Sequence, residues 1–387
     1  MEQKRIYLDH AATSFPKPVE TGAEMLRYLT EVGSNVGRGG YASAYEAEET
    51  LYSLREEVTA LFGGTDARNT VFTPGITAAL NQLLKGLLRP GDHVLVSAME
   101  HNAVMRPLRQ LEARGVTFDT IPCNGDGTMQ LERAEDLIRP NTRAVVCTHA
   151  SNVCGTVQPI ALLGEICDRR GLLLIVDSAQ TAGLFPIHME RMHIAALAFT
   201  GHKTLLGPQG VGGFLIREGL AGEMEPLIAG GTGSASHLET MPDFMPDHFE
   251  AGTLNLPGLY GLSGALSYLR SHDPAALLRR ELELTGRFLE GLTKIPGLRI
   301  VGRSGLIGRA PVVSVSLPGG GLAEAAAALD RNYGIQARVG LHCAPAAHRA
   351  LGTVPEGTLR FSFGHLNTEQ EVDTCLRALA EFCARLP

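Results

Sequence analysis

The stretch "LAFTGHKTLLGPQGVGGFLI", residues 197–216, sets a lysine where an ammonium group finds little water. Lys203 follows an apolar run and is bracketed by Thr200, His202, Gly207 and Gly210. The segments around it, "AALAFTGHKTLLG" and "GVGGFLI", read as an adjacent pair of strands joined by a tight connection. Lysines prefer solvated helix faces, so one placed here asks for a task.

From about residue 45 to 220, apolar strands alternate with amphipathic helices, the pattern of βαβ units and a mainly parallel sheet. "EAEETLYSLREEVTALFG" reads as a helix stopped by Gly63 and Gly64, followed by the strand "TVFTPG" and the helix "ITAALNQLLKGLL". "AVVCTHA" and "LLLIVDSA" read as buried strands, with the helix "IALLGEICDRRG" between them. Segment 219–255 is irregular. After it the pattern turns to α+β, with a long helix in "ALLRRELELTGRFLEGLTKI", the strand "PVVSVSL", the helix "GLAEAAAALDRNYG" and a closing helix near 368–385. The expected division is an N-terminal segment 1–15 packing on the small domain, a large domain 16–258 and a small C-terminal domain 259–387.

The net charge of −7 is spread without a block of like charges, which argues against a nucleic-acid-binding face. No apolar run approaches the roughly 20 residues that span a bilayer, so no membrane partner is expected. "MEQKRIYLDHAATSFP" has no signal-peptide core, and the seven cysteines form no CxxC pair. A cytoplasmic location and no metal site are expected. Cys375 and Cys383, eight apart, share one face of a helical pattern.

Asp177 ends the very apolar strand "LLLIVDSAQ", and the carboxyl ends of strands in open α/β sheets line the ligand crevice. It is either a cap for the next turn or the partner of a cation such as a protonated ring nitrogen. Gln180, three residues on, can face the same ligand. In "VFTPGITAALNQLL" a strand ends, Pro74 and Gly75 turn, and a helix opens at Ile76 and Thr77, leaving free N–H groups for an anion. A lysine in a dry site has a depressed pKa and attacks aldehydes. A phosphate site, a buried aspartate and such a lysine are together the parts that hold pyridoxal 5′-phosphate. Lys203 alone could equally snorkel to the surface.

The motifs "YLDHAAT", "SNVGRG", "EHNAV", "HASNVCGT", "VDSAQ", "TGHK", "FEAGT", "RVGLHCA" and "TLRFSFG", with Lys203 26 residues after Asp177, resemble those of class V aminotransferases. Within that superfamily the chain is similar to cysteine desulfurases over nearly its full length. The resemblance implies fold type I: a large domain with a mainly parallel seven-stranded sheet plus a smaller α+β C-terminal domain. It implies that Lys203 is the Schiff-base lysine, that His101 stacks on the pyridine ring and moves protons, and that Asp177 contacts the ring nitrogen. Gln180 would contact the phenolic oxygen, and Asn152 would sit beside it and the substrate carboxylate. Gly75, Ile76, Thr77, Thr200 and His202 would hold the phosphate. Thr253 would reach the phosphate of a neighbouring subunit, implying a homodimer. Arg360, with Arg338 and Asn152, would bind the substrate, Arg360 clamping its carboxylate, a task that suits a planar fork. Taken singly, Arg360 also reads as a surface charge and His101 as a structural histidine.

"QARVGLHCAPAAH" places Cys343 near Arg338 and His342, cationic neighbours that favour a thiolate, with Gly340 permitting a mobile loop. The form resembles group II desulfurases and selenocysteine lyase-like enzymes. The implied reaction takes sulfur from L-cysteine, or selenium from L-selenocysteine, leaves L-alanine, and passes sulfur from a Cys343 persulfide to an acceptor protein or small thiol. A kynureninase-like lyase would not need Cys343, and a cofactor-free sulfur-carrier binding protein would be colourless where a cofactor-loaded one is yellow. Tyr41 stands where close relatives in group II carry histidine, Ile76 where threonine is frequent, and Ala78 where glutamate is.

Overall fold

The computed structural model describes residues 5–37, 39–317 and 320–385. Arg38 of "SNVGRG" and the first four residues of the N-terminal segment lie outside them. The chain opens with β1 (Ile6–Tyr7), α1 (Val19–Arg27) and α2 (Ala42–Leu61). Alternation follows through β2 (Thr70–Thr73), α3 (Ile76–Leu87), β3 (His93–Ser97), α4 (Asn102–Glu112), β4 (Thr117–Ile121) and α5 (Leu131–Asp136). It continues with β5 (Thr142–Thr148), α6 (Ile160–Arg170), β6 (Leu173–Asp177), β7 (Ile194–Thr200) and β8 (Gly212–Ile216).

These strands form a seven-stranded sheet in the order β2-β8-β7-β6-β5-β3-β4. Of the seven, β8 runs against both neighbours and the other contacts are parallel. The reversal has a simple cause: residues 201–211 are too few for a parallel crossover, which needs about a dozen or more. Side chains of one strand alternate between two cores. Leu174, Val176, Leu197 and Phe199 face α2 and α6, while Ile175, Ala196 and Ala198 face α3 and α4. The stripe Leu80, Leu83, Leu84 and Leu87 on α3 has the spacing that fixes a helix on one sheet face. With both faces covered, the central strands read as unbroken apolar runs.

The second lobe follows α7 (Leu256–Ser271) and α8 (Pro274–Leu292). It comprises β9 (Arg299–Val301), β10 (Val312–Ser316), α9 (Leu322–Tyr333), β11 (Ile335–Gln336), β12 (Arg338–Gly340), α10 (Pro345–Ala350), β13 (Thr358–Ser362) and α11 (Glu369–Cys383). Its antiparallel sheet has the order β12-β13-β10-β9, and α11 starts at a capping box between Thr368 and Glu371. A boundary after residue 258 falls inside α7, whose Leu259, Leu262, Leu266 and Leu269 pack in the large core. The change of core comes within α8, between Leu277 and Leu284. Ile6 and Leu8 join the small-lobe core, and β1 pairs with β11. The same segment then reaches the large lobe: Thr13 Oγ1, Ser14 N–H and Lys17 Nζ donate to the His202 carbonyl at 2.9, 3.0 and 2.8 Å. Among the described residues no helix is long and apolar enough to cross a membrane.

Candidate active site

β6 and β7 are parallel neighbours with Asp177 opposite Ala198, so Asp177 and, two residues beyond that pairing, Thr200 end their strands at the same carboxyl edge of the sheet. Beyond Thr200 the chain closes into a tight connection. Gly201 N–H donates to Val211 O at 2.9 Å, Gly207 N–H to Gly201 O at 2.7 Å, and Leu206 N–H to Lys203 O at 2.9 Å. That closure fixes the backbone of Lys203. Burial pulls its ammonium down to about 8; Asp177 opposes the shift, and Arg360 and Arg338 add to it. An amine with so lowered a proton affinity is a nucleophile near neutral pH. Asp177 is 2% exposed, and burial raises its pKa, against the Ala179 N–H that donates to Oδ1 at 2.9 Å and against Lys203.

Beside this pair lies a cradle lined by Gly75, Ile76, Thr77, Thr200 and His202. Gly75 starts α3 at φ +143°, a conformation side chains resist, and no side chain caps the helix. Ala78 N–H turns back to Gly75 O at 3.1 Å, and Ile76 and Thr77, whose N–H groups no side chain caps, line the space. Gly212 has no room for a side chain: a Cβ would lie 2.6 Å from Phe199 O and 2.8 Å from Gly75 Cα, so glycine there lets the cradle sit against β7. His202 Nδ1 is buried without a partner, and no carboxylate lines the space. An unpaired ring nitrogen, which donates in one tautomer of the neutral imidazole, a helix start and two hydroxyls suit a phosphate. Cradle, lysine and buried carboxylate together fit pyridoxal phosphate.

His101 caps α4, its Nδ1 accepting from Ala103 N–H at 3.0 Å, which leaves the proton of the neutral ring on Nε2. Burial lowers its pKa to about 4, helped by Lys203 and Arg338. Asn152 Nδ2 donates to His342 O at 2.7 Å, and Gln180 Nε2 to Ala11 O at 3.0 Å. Arg360 is 1% exposed, with Nη1 donating to Asn152 O at 3.0 Å and Nη2 to Asp9 Oδ1 at 2.6 Å. Sequence alone suggests no role for Asp9, although it stands inside the quoted "YLDHAAT"; a carboxylate directly after the apolar run 6–8 is the available signal. Glu100 was missed too. Burial pushes its carboxyl up to about 8 beneath the site, and Asp177 adds to the rise.

Cys343 is exposed, at φ +57°, with Arg338 Nη2 3.9 Å from its Sγ. Its carbonyl accepts from Asn102 N–H at 2.8 Å, which ties the thiol's turn to the helix that starts beside His101. His342 is not the cationic neighbour the sequence suggested. It is 3% exposed, Nε2 pairs with Thr358 Oγ1 at 3.0 Å, and burial with the Arg360 charge holds its pKa to about 2. Cys147, Cys154, Cys167 and Cys375 are buried, and Cys123 and Cys383 partly so. Thr253 is exposed and lines the groove next to the cradle, shared with Pro74 and Gly210. Tyr41 is exposed at the start of α2.

The family model "Aminotransferase class-V" matches residues 6–375. A probable cysteine desulfurase of Methanothermobacter thermautotrophicus is 32% identical over 382 residues, 97% of this chain and 94% of the relative. A cysteine desulfurase of Escherichia coli is 33% identical, covering 96% and 92%. The apo structure of cysteine desulfurase from Thermococcus onnurineus superposes with a TM-score of 0.91 at 31% identity, over 99% of this chain and 95% of that one. The chain belongs to the class V aminotransferases, in their cysteine desulfurase family.

Proposed function

We propose that the protein is a pyridoxal-phosphate-dependent cysteine desulfurase that converts L-cysteine to L-alanine and carries the sulfur as a persulfide on Cys343. The observation that carries this reading is an exposed thiol beside Arg338, at the mouth of a site holding Lys203, Asp177 and an anion cradle. When bound, the cofactor supplies the electron sink for the charge left on the substrate as its Cα proton departs.

This chain's residues would do the rest. Gly75, Ile76 and Thr77, with Thr200 and His202, would hold the phosphate. Lys203 would attach the cofactor and, as a free amine, take and return the Cα proton. Asp177 would keep a proton on the ring nitrogen, Gln180 would bind the ring's oxygen, and neutral His101 would contact the ring. Arg360 with Asn152 and Arg338 orients the carboxylate. Cys343 Sγ attacks the substrate sulfur, the carbon–sulfur bond breaks with its pair on Cβ, and protonation of Cβ followed by return of a proton to Cα gives alanine. The persulfide then passes to an acceptor protein or small thiol. A homodimer is part of the reading. Exposed Tyr41, Tyr52 and Thr253 line one groove, where Thr253 can serve a partner's phosphate.

The test is purified protein with L-cysteine and a reductant, monitored for sulfide and alanine in equal amounts. Alanine without sulfide, or neither product from protein loaded with cofactor, sinks the proposal.

A further inference from the structure

Lys17, two residues before α1, is half-buried. Its Nζ donates to the His202 carbonyl at 2.8 Å and to Ser14 Oγ at 2.7 Å. That carbonyl needs no third donor. Thr13 Oγ1 at 2.9 Å and Ser14 N–H at 3.0 Å already meet its two lone pairs. Among the described residues no carboxylate pairs with Lys17, and burial pulls its ammonium down to about 8. A cation taken partly out of water with no counter-ion is costly, and hydrogen bonding to a satisfied carbonyl does not account for it.

The charge stands beside the anion cradle. His202, whose carbonyl Lys17 holds, lines that space, and the Lys17 charge reaches its ring: burial, then Lys203, then Lys17 keep the imidazole neutral, its pKa lowered to about 4. No lysine or arginine is among the residues lining the cradle. A phosphate monoester carries close to two negative charges at neutral pH.

We propose that Lys17 is a further determinant of phosphate binding in the cofactor site, its ammonium supplying across the His202 residue the positive charge that the cradle lining lacks. This rests on the cradle holding the phosphate. A unit charge held one residue from a phosphate dianion, in a partly buried site that salt screens little, strengthens binding by about tenfold to a hundredfold.

The experiment titrates the full chain, stripped of cofactor, with pyridoxal 5′-phosphate and separately with pyridoxal, which has the same ring and aldehyde but no phosphate. Binding is followed by the yellow absorbance of the attached ring. The readout is the ratio of dissociation constants, pyridoxal over pyridoxal 5′-phosphate. Lys17→Met should lower that ratio at least about tenfold, with pyridoxal bound as by wild type. Lys17→Arg keeps the charge and should hold the ratio. Thr13→Val, which takes a donor from the same carbonyl but no charge, should hold it too. A role confined to docking the N-terminal segment would weaken both ligands by the same factor in Lys17→Met, and that outcome overturns the proposal. So does a ratio that falls as far in Thr13→Val or Lys17→Arg. Should Lys17→Met fail to fold, Lys17→Gln, which is uncharged but can still donate, is read in the same way. Wild type separates the two readings. If it binds pyridoxal 5′-phosphate no tighter than pyridoxal, the cradle itself is wrong. If its ratio is large and Lys17→Met leaves it unmoved, only the role of Lys17 falls.

Discussion

Glu100→Gln probes the charge balance beneath the site. In the fold, Ser97 Oγ donates to Glu100 Oε1, Thr148 N–H donates to the same oxygen at 2.7 Å, and Oε2 is buried without a partner. Burial moves the carboxyl from the ordinary 4.5 to about 8. It is therefore protonated at neutral pH when folded and ionised when unfolded. Between those two values the folded chain holds the extra proton, so stability is full below about 4.5 and is lost as pH rises toward 8. Each pH unit in that window removes about 1.4 kcal/mol. The accumulated loss is about 1 kcal/mol at pH 5 and about 4 kcal/mol at pH 8. Glutamine keeps the acceptor for Ser97 and Thr148 and carries no charge at any pH, so the variant escapes this loss. The assay is the melting temperature of cofactor-loaded wild type and variant at pH 5, 6, 7 and 8. The variant's advantage should grow by about 3 kcal/mol across the series, several degrees in Tm. Melting curves that stay parallel would mean that the folded carboxyl is already ionised, and the reasoning fails.

Three further outcomes are expected. Cys343→Ser should retain cofactor and bind L-cysteine, yet mass spectrometry should find no added sulfur on the peptide containing residue 343; sulfur on Cys154 instead would defeat the assignment. Asp177→Asn should fold and retain cofactor while Cα proton exchange in deuterated water slows by about a hundredfold or more; exchange near the wild-type rate would remove Asp177 from the chemistry. Gly75→Ala forces a side chain to φ +143°, a strain of about 1–3 kcal/mol; equilibrium dialysis should then show cofactor held about tenfold more weakly, and unchanged retention would count against the cradle.

The large sheet was legible because its strands are short apolar runs and its helices carry stripes like that of α3. Both patterns are local in sequence. The lobe boundary was not, since α7 is apolar enough to pack with either core and the choice is made by what it meets in space. At the site, Lys203, Asp177 and the turn at Gly75 announced themselves as residues out of place for their surroundings. Asp9 and Glu100 did not. One acts through a partner 351 positions away, and the other is notable only because its second oxygen is buried without a hydrogen-bond partner. His342 shows the converse: beside a cysteine it reads as a cation, but burial against Thr358 keeps it neutral.

The edge strand β2 meets the large sheet only through β8. On a ribosome the segment ending at Thr73 emerges 139 positions before Gly212, the first residue of its partner strand (212 − 73). Closing so long a loop defers that pairing until nearly the whole large lobe has been made. The turn at Gly75 packs against Gly212, so the anion cradle is completed at the same late moment. Cofactor capture is thereby coupled to near-complete synthesis. A stalled nascent chain that stops short of residue 212 should not retain pyridoxal phosphate, and capture by such a chain would break that coupling.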